Sequence, residues 1–275
     1  WKAAEECVAQ GKGKQWPARY VHNIRDETGT ARSETRSGAL VIEPSDCPGL
    51  VYFLPTPKSP HGVDVDPTGE YIVGGGKLAT ILPIHSFSKM TKAIADKAFE
   101  SEIDGIPVLK YEAVNYCELK DPGLGPLHTE FDANGFAYTS VFLSSEIIKW
   151  DVKNCVVVDR TPTYYSIGHL MVPGGDTRKP YGKYVIALNK ITKDRYLPTG
   201  PELTQSAQLY DITGDKMQLL LDFPTAGEPH YAQAIPASKI REQQLRTFAL
   251  AENRHPDAVK SEKDVKVVRD GNKVH

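Results

Sequence analysis

Long apolar runs are missing. No stretch approaches the roughly 20 apolar residues that a bilayer span needs, so no membrane span is expected. Runs of one charge sign are missing as well. The chain sets 33 Lys+Arg against 35 Asp+Glu without a long basic tract that could follow a phosphate backbone, which argues against nucleic acid as a partner. Cysteine is scarce: Cys7, Cys47, Cys117 and Cys155 stand apart with no C-x-x-C, so a thiolate metal cage is not indicated, and their spacing leaves the redox compartment open. The opening "WKAAEECVAQGKGKQW" has neither a starting Met nor the charged-then-apolar order of a secretory signal, and a processed or truncated chain is expected. No H-E-x-x-H motif is present, which makes a zinc hydrolase a weak reading.

Helix signals are also few. Ala3, Ala4, Cys7 and Val8 recur at helical spacing, so a short helix is expected over 1–12. Further helices are expected over 88–100 and 237–247. The rest reads as strands. "LVYFLPTP", "EYIVGGG", "KLATILPIHSF", "FAYTSVFL", "EIIKWDV", "CVVVDRTPTYYSI", "GKYVIALNKI", "SAQLYDI" and "MQLLLDFP" are short, β-branched or aromatic, and punctuated by Gly, Pro, Asp or Asn. At 275 residues and 40% hydrophobic content the chain can bury a substantial core. Beyond about residue 250 it turns charged and poor in core residues, as a linker or exposed arm would.

An internal repeat organises these strands. His61 is followed by Asp66, Gly69 and Tyr71, and His128 by Asp132, Gly135 and Tyr138; in both, the tyrosine comes 10 positions after the histidine. A looser copy runs from His169 through Asp176 and Gly182 to Tyr184, and "GEPHYAQAI" around His230 gives a fourth. Strand sets recurring at intervals of tens of residues are what a β-propeller produces. Histidines heading innermost strands would then converge although distant in sequence, and converging imidazoles suit copper or zinc. His22, His85, His255 and His275 have no such placement. The Asp and Gly after each histidine have a turn-forming explanation of their own, and the three tyrosines are expected to pack between blades.

The motifs "PKSPHGVDVDPTGEYIVGGGKL", "GLGPLHTEFDANGFAYTSVF", "EIIKWDV", "YYSIGHLMVPGGD" and "LNKITKDRYLPTGPELTQSAQLYDI", in this order from about residue 50 to 240, resemble the nitrous oxide reductase family. They are similar more narrowly to its branch exported through the general secretory route. The resemblance implies an all-β chain, about four blades of a seven-bladed propeller over 1–245, and a polar arm over 246–275 leading towards an absent cupredoxin domain. It implies a periplasmic enzyme reducing nitrous oxide to dinitrogen and water on a tetranuclear copper–sulfide cluster, with His61, His128 and His169 as three of the copper ligands. Lys149, in "IIKW", matches a family lysine close to the cluster, where a cation assists proton delivery or stabilises oxide charge. Calcium, a dinuclear copper centre on the cupredoxin domain, an electron-donor domain or small redox protein, and a homodimer belong to the same expectation. The family's earlier ligand histidines and the cysteine-rich copper loop have no counterpart in this sequence, so the chain alone is expected to be inactive. No ligand role is carried onto His230. The alternative reading is a metal-free propeller serving as a binding or structural module, since propellers host many unrelated roles.

Overall fold

The computed structural model describes residues 2–25, 30–190, 205–225 and 227–236. Helix α1 (Lys2–Ala9) opens the chain, where a short helix was expected, and is followed by a two-stranded antiparallel ribbon of β1 (Lys14–Arg25) and β2 (Ala31–Val41). Three four-stranded antiparallel sheets come next, where about four blades were expected.

The first blade is β3 (Pro60–Val65), β4 (Tyr71–Gly76), β5 (Ile81–Ser86) and, after an insertion, β8 (Asn115–Lys120). The insertion holds α2 (Phe87–Ala95), β6 (Phe99–Ile103), β7 (Ile106–Leu109) and α3 (Tyr111–Val114). The second blade is β9 (Pro126–Phe131), β10 (Phe136–Val141), β11 (Glu146–Asp151) and β12 (Val156–Pro162). The third is β13 (Ile167–Met171), β14 (Tyr184–Asn189), β15 (Ser206–Asp211) and β16 (Gln218–Pro224). Each blade pairs its strands as a simple meander, the arrangement that propellers repeat radially. The first strand of the second blade, β9, lies against the first strands β3 and β13 of its neighbours.

The two-residue period of a strand sends alternate side chains to opposite faces, and here both faces of the second blade are buried. Ala137, Val141, Ile148 and Trp150 pack with Val73, Leu82, Ile84 and Leu119 of the first blade. Their alternates Tyr138 and Ile147 pack with Ile167, Val185, Ala187 and Tyr210 of the third. Each Val, Leu or Ile among them contributes about 1.5–3 kcal/mol by burial. Buried polar groups within the second blade pair with one another: Trp150 Nε1 donates to Thr139 Oγ1 at 2.9 Å, and Thr139 Oγ1 pairs with Thr129 Oγ1 at 2.8 Å.

Asp66 and Asp132 are turn residues. Asp66 accepts from the Thr68 and Tyr71 backbone N–H groups, and Asp132 from those of Asn134 and Phe136. Tyr138 is wholly buried between blades and donates to Asp132 at 3.1 Å, whereas Tyr184 is 42% exposed and does not fill the place expected for it. The segment 50–57, expected as a strand, contributes only a bridge from Phe53 to Val108, because Pro55 and Pro57 cannot donate to a ladder. Ser86 caps α2 by accepting from Lys89 N at 3.1 Å, and Ala93, Leu109 and Val114 give the insertion its own small core.

All four cysteines are paired, Cys7 with Cys47 and Cys117 with Cys155. The second pair joins β8 of the first blade to the β11–β12 turn of the second. The blades belong to one compact unit, Trp1–Ala234; of the second unit, Ile235–His275, only Ile235 and Pro236 are described. The helix expected at 237–247 and the arm at 246–275 lie outside the described residues. Among the described residues no helix is long and apolar enough to cross a membrane.

Candidate metal centre

His61, His128 and His169 sit on the first strands of successive blades, and the contact between those strands brings their rings together. His61 and His128 meet edge-to-face with centroids 5.0 Å apart, and His128 stacks on His169 at 3.7 Å. His230, from the coil after β16, extends the row with its centroid 5.0 Å from that of His169. Tyr231 closes on His169 edge-on at 5.4 Å. The repeat motif thus gathers three of the four histidines that carry it on first strands, and a coil residue supplies the fourth.

This approach depends on glycine. Gly62 has φ +78°, and a Cβ there would stand 2.1 Å from the Leu127 carbonyl oxygen and 3.1 Å from His128 Nδ1. Any other residue would push the first two blades apart. Gly168 has a different use. The place of its missing Cβ is taken by the aliphatic stem of Lys190, whose Cε would lie 2.0 Å away. Lys190 is only 6% exposed, and its Nζ lies 3.3 Å from His230 Nε2. Glu228 Oε1 stands 3.6 Å from His230 Nδ1.

Burial keeps His61, His128 and His169 neutral. It pulls His128 down to about 3, with help from the His169, His61 and Lys190 charges, and His169 down to about 4, with Lys190 the next cause. His61 is lowered by burial and then by Lys190 and Lys77. Neutral imidazole is the ligating form. On the same strand as His128, Glu130 is raised to about 8, chiefly by burial and then by Asp176 and Asp64, and so holds a proton at neutral pH.

His128 Nε2 is buried without a hydrogen-bond partner, an orphaned acceptor or donor that a bound ion would satisfy. Among the described residues no three His, Cys, Asp or Glu side chains surround a single point. The orphaned Nε2 and the neutral imidazoles of His61, His128 and His169 are donors of the kind that suit copper or zinc.

Lys149 is not brought to the row. Its strand, β11, lies two strands outward from β9, about 10 Å at the usual strand spacing. Its side chain points with that of Ile147 towards the third blade, where Nζ donates to the Gly214 carbonyl at 2.9 Å and rests 4.6 Å from the Phe136 ring centroid. The cation at the histidines is Lys190, which the sequence motifs did not single out.

The class these observations define is a β-propeller whose first strands present a histidine row. Residues 160–230 match the nitrous oxide reductase propeller repeat. Over 240 residues the chain is 35% identical to a nitrous-oxide reductase from Stutzerimonas stutzeri, covering 81% of this chain and 36% of that protein. It is 31% identical to one from Pseudomonas fluorescens over the same shares of the two chains. The nitrous-oxide reductase of Cupriavidus necator is 34% identical over 82% of this chain and 34% of its own length. Among propellers, then, this chain is a relative of the nitrous-oxide reductases, over a stretch spanning about a third of their length.

Proposed function

We propose that the chain is the imidazole-bearing propeller portion of a periplasmic copper enzyme that reduces nitrous oxide to dinitrogen and water. The observation that carries this reading is the row of His61, His128, His169 and His230, rings in succession with centroids 3.7–5.0 Å apart, and containing an orphaned Nε2. These four residues would hold the copper. Bound copper would supply the electrons and the Lewis acidity that a poor ligand and inert oxidant such as nitrous oxide requires.

The chain's own contribution is placement and charge. The Lys190 ammonium, 3.3 Å from His230 Nε2, stands where oxide charge would develop. That role passes to Lys190 because the Lys149 ammonium is engaged by Gly214 in the third blade. Four cysteines held in two disulfides suit the oxidising periplasm and leave no thiolate among them to compete for copper. The electron donor would be a cupredoxin domain or a small redox protein, acting in a homodimer of the complete enzyme.

The test is copper stoichiometry and affinity of the metal-free chain and of His128→Ala. Wild type should bind copper that His128→Ala loses while circular dichroism stays unchanged. Equal copper in both, or none in the wild type, would refute the assignment and leave the metal-free binding propeller as the better account.

A further inference from the structure

Each first-strand histidine stands at an irregularity in its own blade. In the first blade Pro60 faces Gly76 and Val63 faces Gly74, so His61 and Gly62 together oppose Gly75 alone. In the second, Pro126 faces Val141 and Thr129 faces Thr139, so Leu127 and His128 oppose Ser140. In the third, Ile167 faces Asn189 and Leu170 faces Ala187, so Gly168 and His169 oppose Leu188. All three are β-bulges, with the extra residue placed at the histidine. A bulge re-aims a side chain, and it leaves the extra residue without a place in the ladder. The aim of the ring must then be fixed by something other than the sheet itself.

In the second blade, side chains supply that fixing. The His128 backbone N–H donates to the Ser140 hydroxyl at 3.3 Å, within the blade. The next N–H, that of Thr129, donates to Asp64 Oδ2 at 2.7 Å, the short end of the range for such bonds. Asp64 belongs to β3 of the first blade, so this bond crosses between blades. One strand thus presents the His61 ring and holds the backbone beside His128. Asp66 and Asp132, the acids that the repeat makes conspicuous, are taken up by their own turns, whereas Asp64 reaches across.

We propose that Asp64 is a positioning residue for the histidine row: it clamps the bulge of the second blade from the first and so aims the His128 ring at those of His61 and His169. The inference rests on the copper reading only for its consequence in metal affinity. The clamp itself, a hydrogen bond and the ring placement that follows from it, is a property of the metal-free chain.

The experiment follows the histidine ring signals of the full metal-free chain by NMR, at one pH, in wild type, Asp64→Ala and Asp64→Asn. The His128 and His169 rings, stacked at 3.7 Å, shift each other's resonances. Asp64→Ala should move both signals while leaving that of His85, two strands away in β5, where it was. It should also weaken copper binding about tenfold, as loss of a group that orients a ligand does. Asp64→Asn keeps an oxygen acceptor for the Thr129 N–H and should restore both readouts towards wild type. A role confined to stability would lower the unfolding midpoint without moving the ring signals. Unchanged His128 and His169 signals in folded Asp64→Ala overturn the clamp, and so does an Asp64→Asn that behaves as Asp64→Ala does. Should Asp64→Ala fail to fold, as judged by circular dichroism, the Thr129 amide of the wild type decides. Hydrogen exchange as slow as that of a ladder amide supports the clamp, and exchange at the rate of an exposed turn amide overturns it. If the wild type binds no copper, the copper reading fails while the ring signals still decide on Asp64.

Discussion

His85 should make the fold acid-sensitive in a way that one substitution removes. Its ring is 1% exposed, meets Tyr111 edge-on with centroids 5.7 Å apart, and has no hydrogen-bond partner on either nitrogen. The Tyr111 hydroxyl is turned to Glu118 and Asn115, and no charged group contributes to the shift. Burial alone lowers His85 from 6.5 to about 4. A depressed value means that the unfolded chain takes up the proton first. The stability is therefore complete above about pH 7, falls as the pH drops below 6.5, and is fully lost once the pH has passed the folded value near 4. A fall from 6.5 to about 4, at about 1.4 kcal/mol per pH unit, gives a full loss of about 3.5 kcal/mol, of which about 3 kcal/mol is reached by pH 4. His128 and His169 titrate in the same window in the metal-free chain, so His85→Leu remains partly acid-sensitive. The quantity to measure is the difference between wild type and His85→Leu in urea unfolding across the range from about pH 7.5 to about pH 4. Leucine should cost a fixed amount at neutral pH and gain on wild type by about 3 kcal/mol on acidification. A difference that stays constant with pH would show that the ring is solvated or paired, and the reasoning would fail.

What the sequence made legible was whatever the repeat fixed. His61 and His128 stand 10 residues before a tyrosine, with an Asp–Gly turn between, so strand start, turn and second strand are readable as a unit. His230 follows the last described strand and has no strand of its own to head, which is why its place in the row emerged only from the packing. The choice of Lys149 shows a different limit. Period-two alternation tells that Lys149 and Ile147 share a face, yet it does not tell how far that face lies from the axis. Lys190 carries a signal of its own, the position directly after a second strand that it shares with Lys77. The β1–β2 ribbon is missing from the expected strands because its sequence is polar and lacks the apolar runs that marked the others. The disulfides were beyond reach for a simpler reason: spacing does not choose among the pairings that four cysteines allow.

Tyr138→Phe should cost about 1 kcal/mol, the worth of its hydrogen bond to Asp132, while Tyr138→Ala should cost about 3–5 kcal/mol through the cavity left between the second and third blades; unfolding curves of both separate the two contributions. Replacing Cys117 and Cys155 by Ala should lower stability by about 4 kcal/mol, the loop-closure value for about 40 residues, read by urea unfolding against wild type under non-reducing conditions. The last prediction concerns Gly62, where the backbone needs φ +78° and a Cβ would collide with the Leu127 carbonyl. Gly62→Ala then meets two penalties at once, about 1 kcal/mol for the left-handed conformation and more for the contact, and the first two blades can relieve the second only by separating. Separation moves His61 from His128, so the variant should lose copper affinity while keeping every imidazole. If Gly62→Ala binds copper as wild type does while losing stability, the rings are not held in register by this contact, and some other part of the interface sets their spacing.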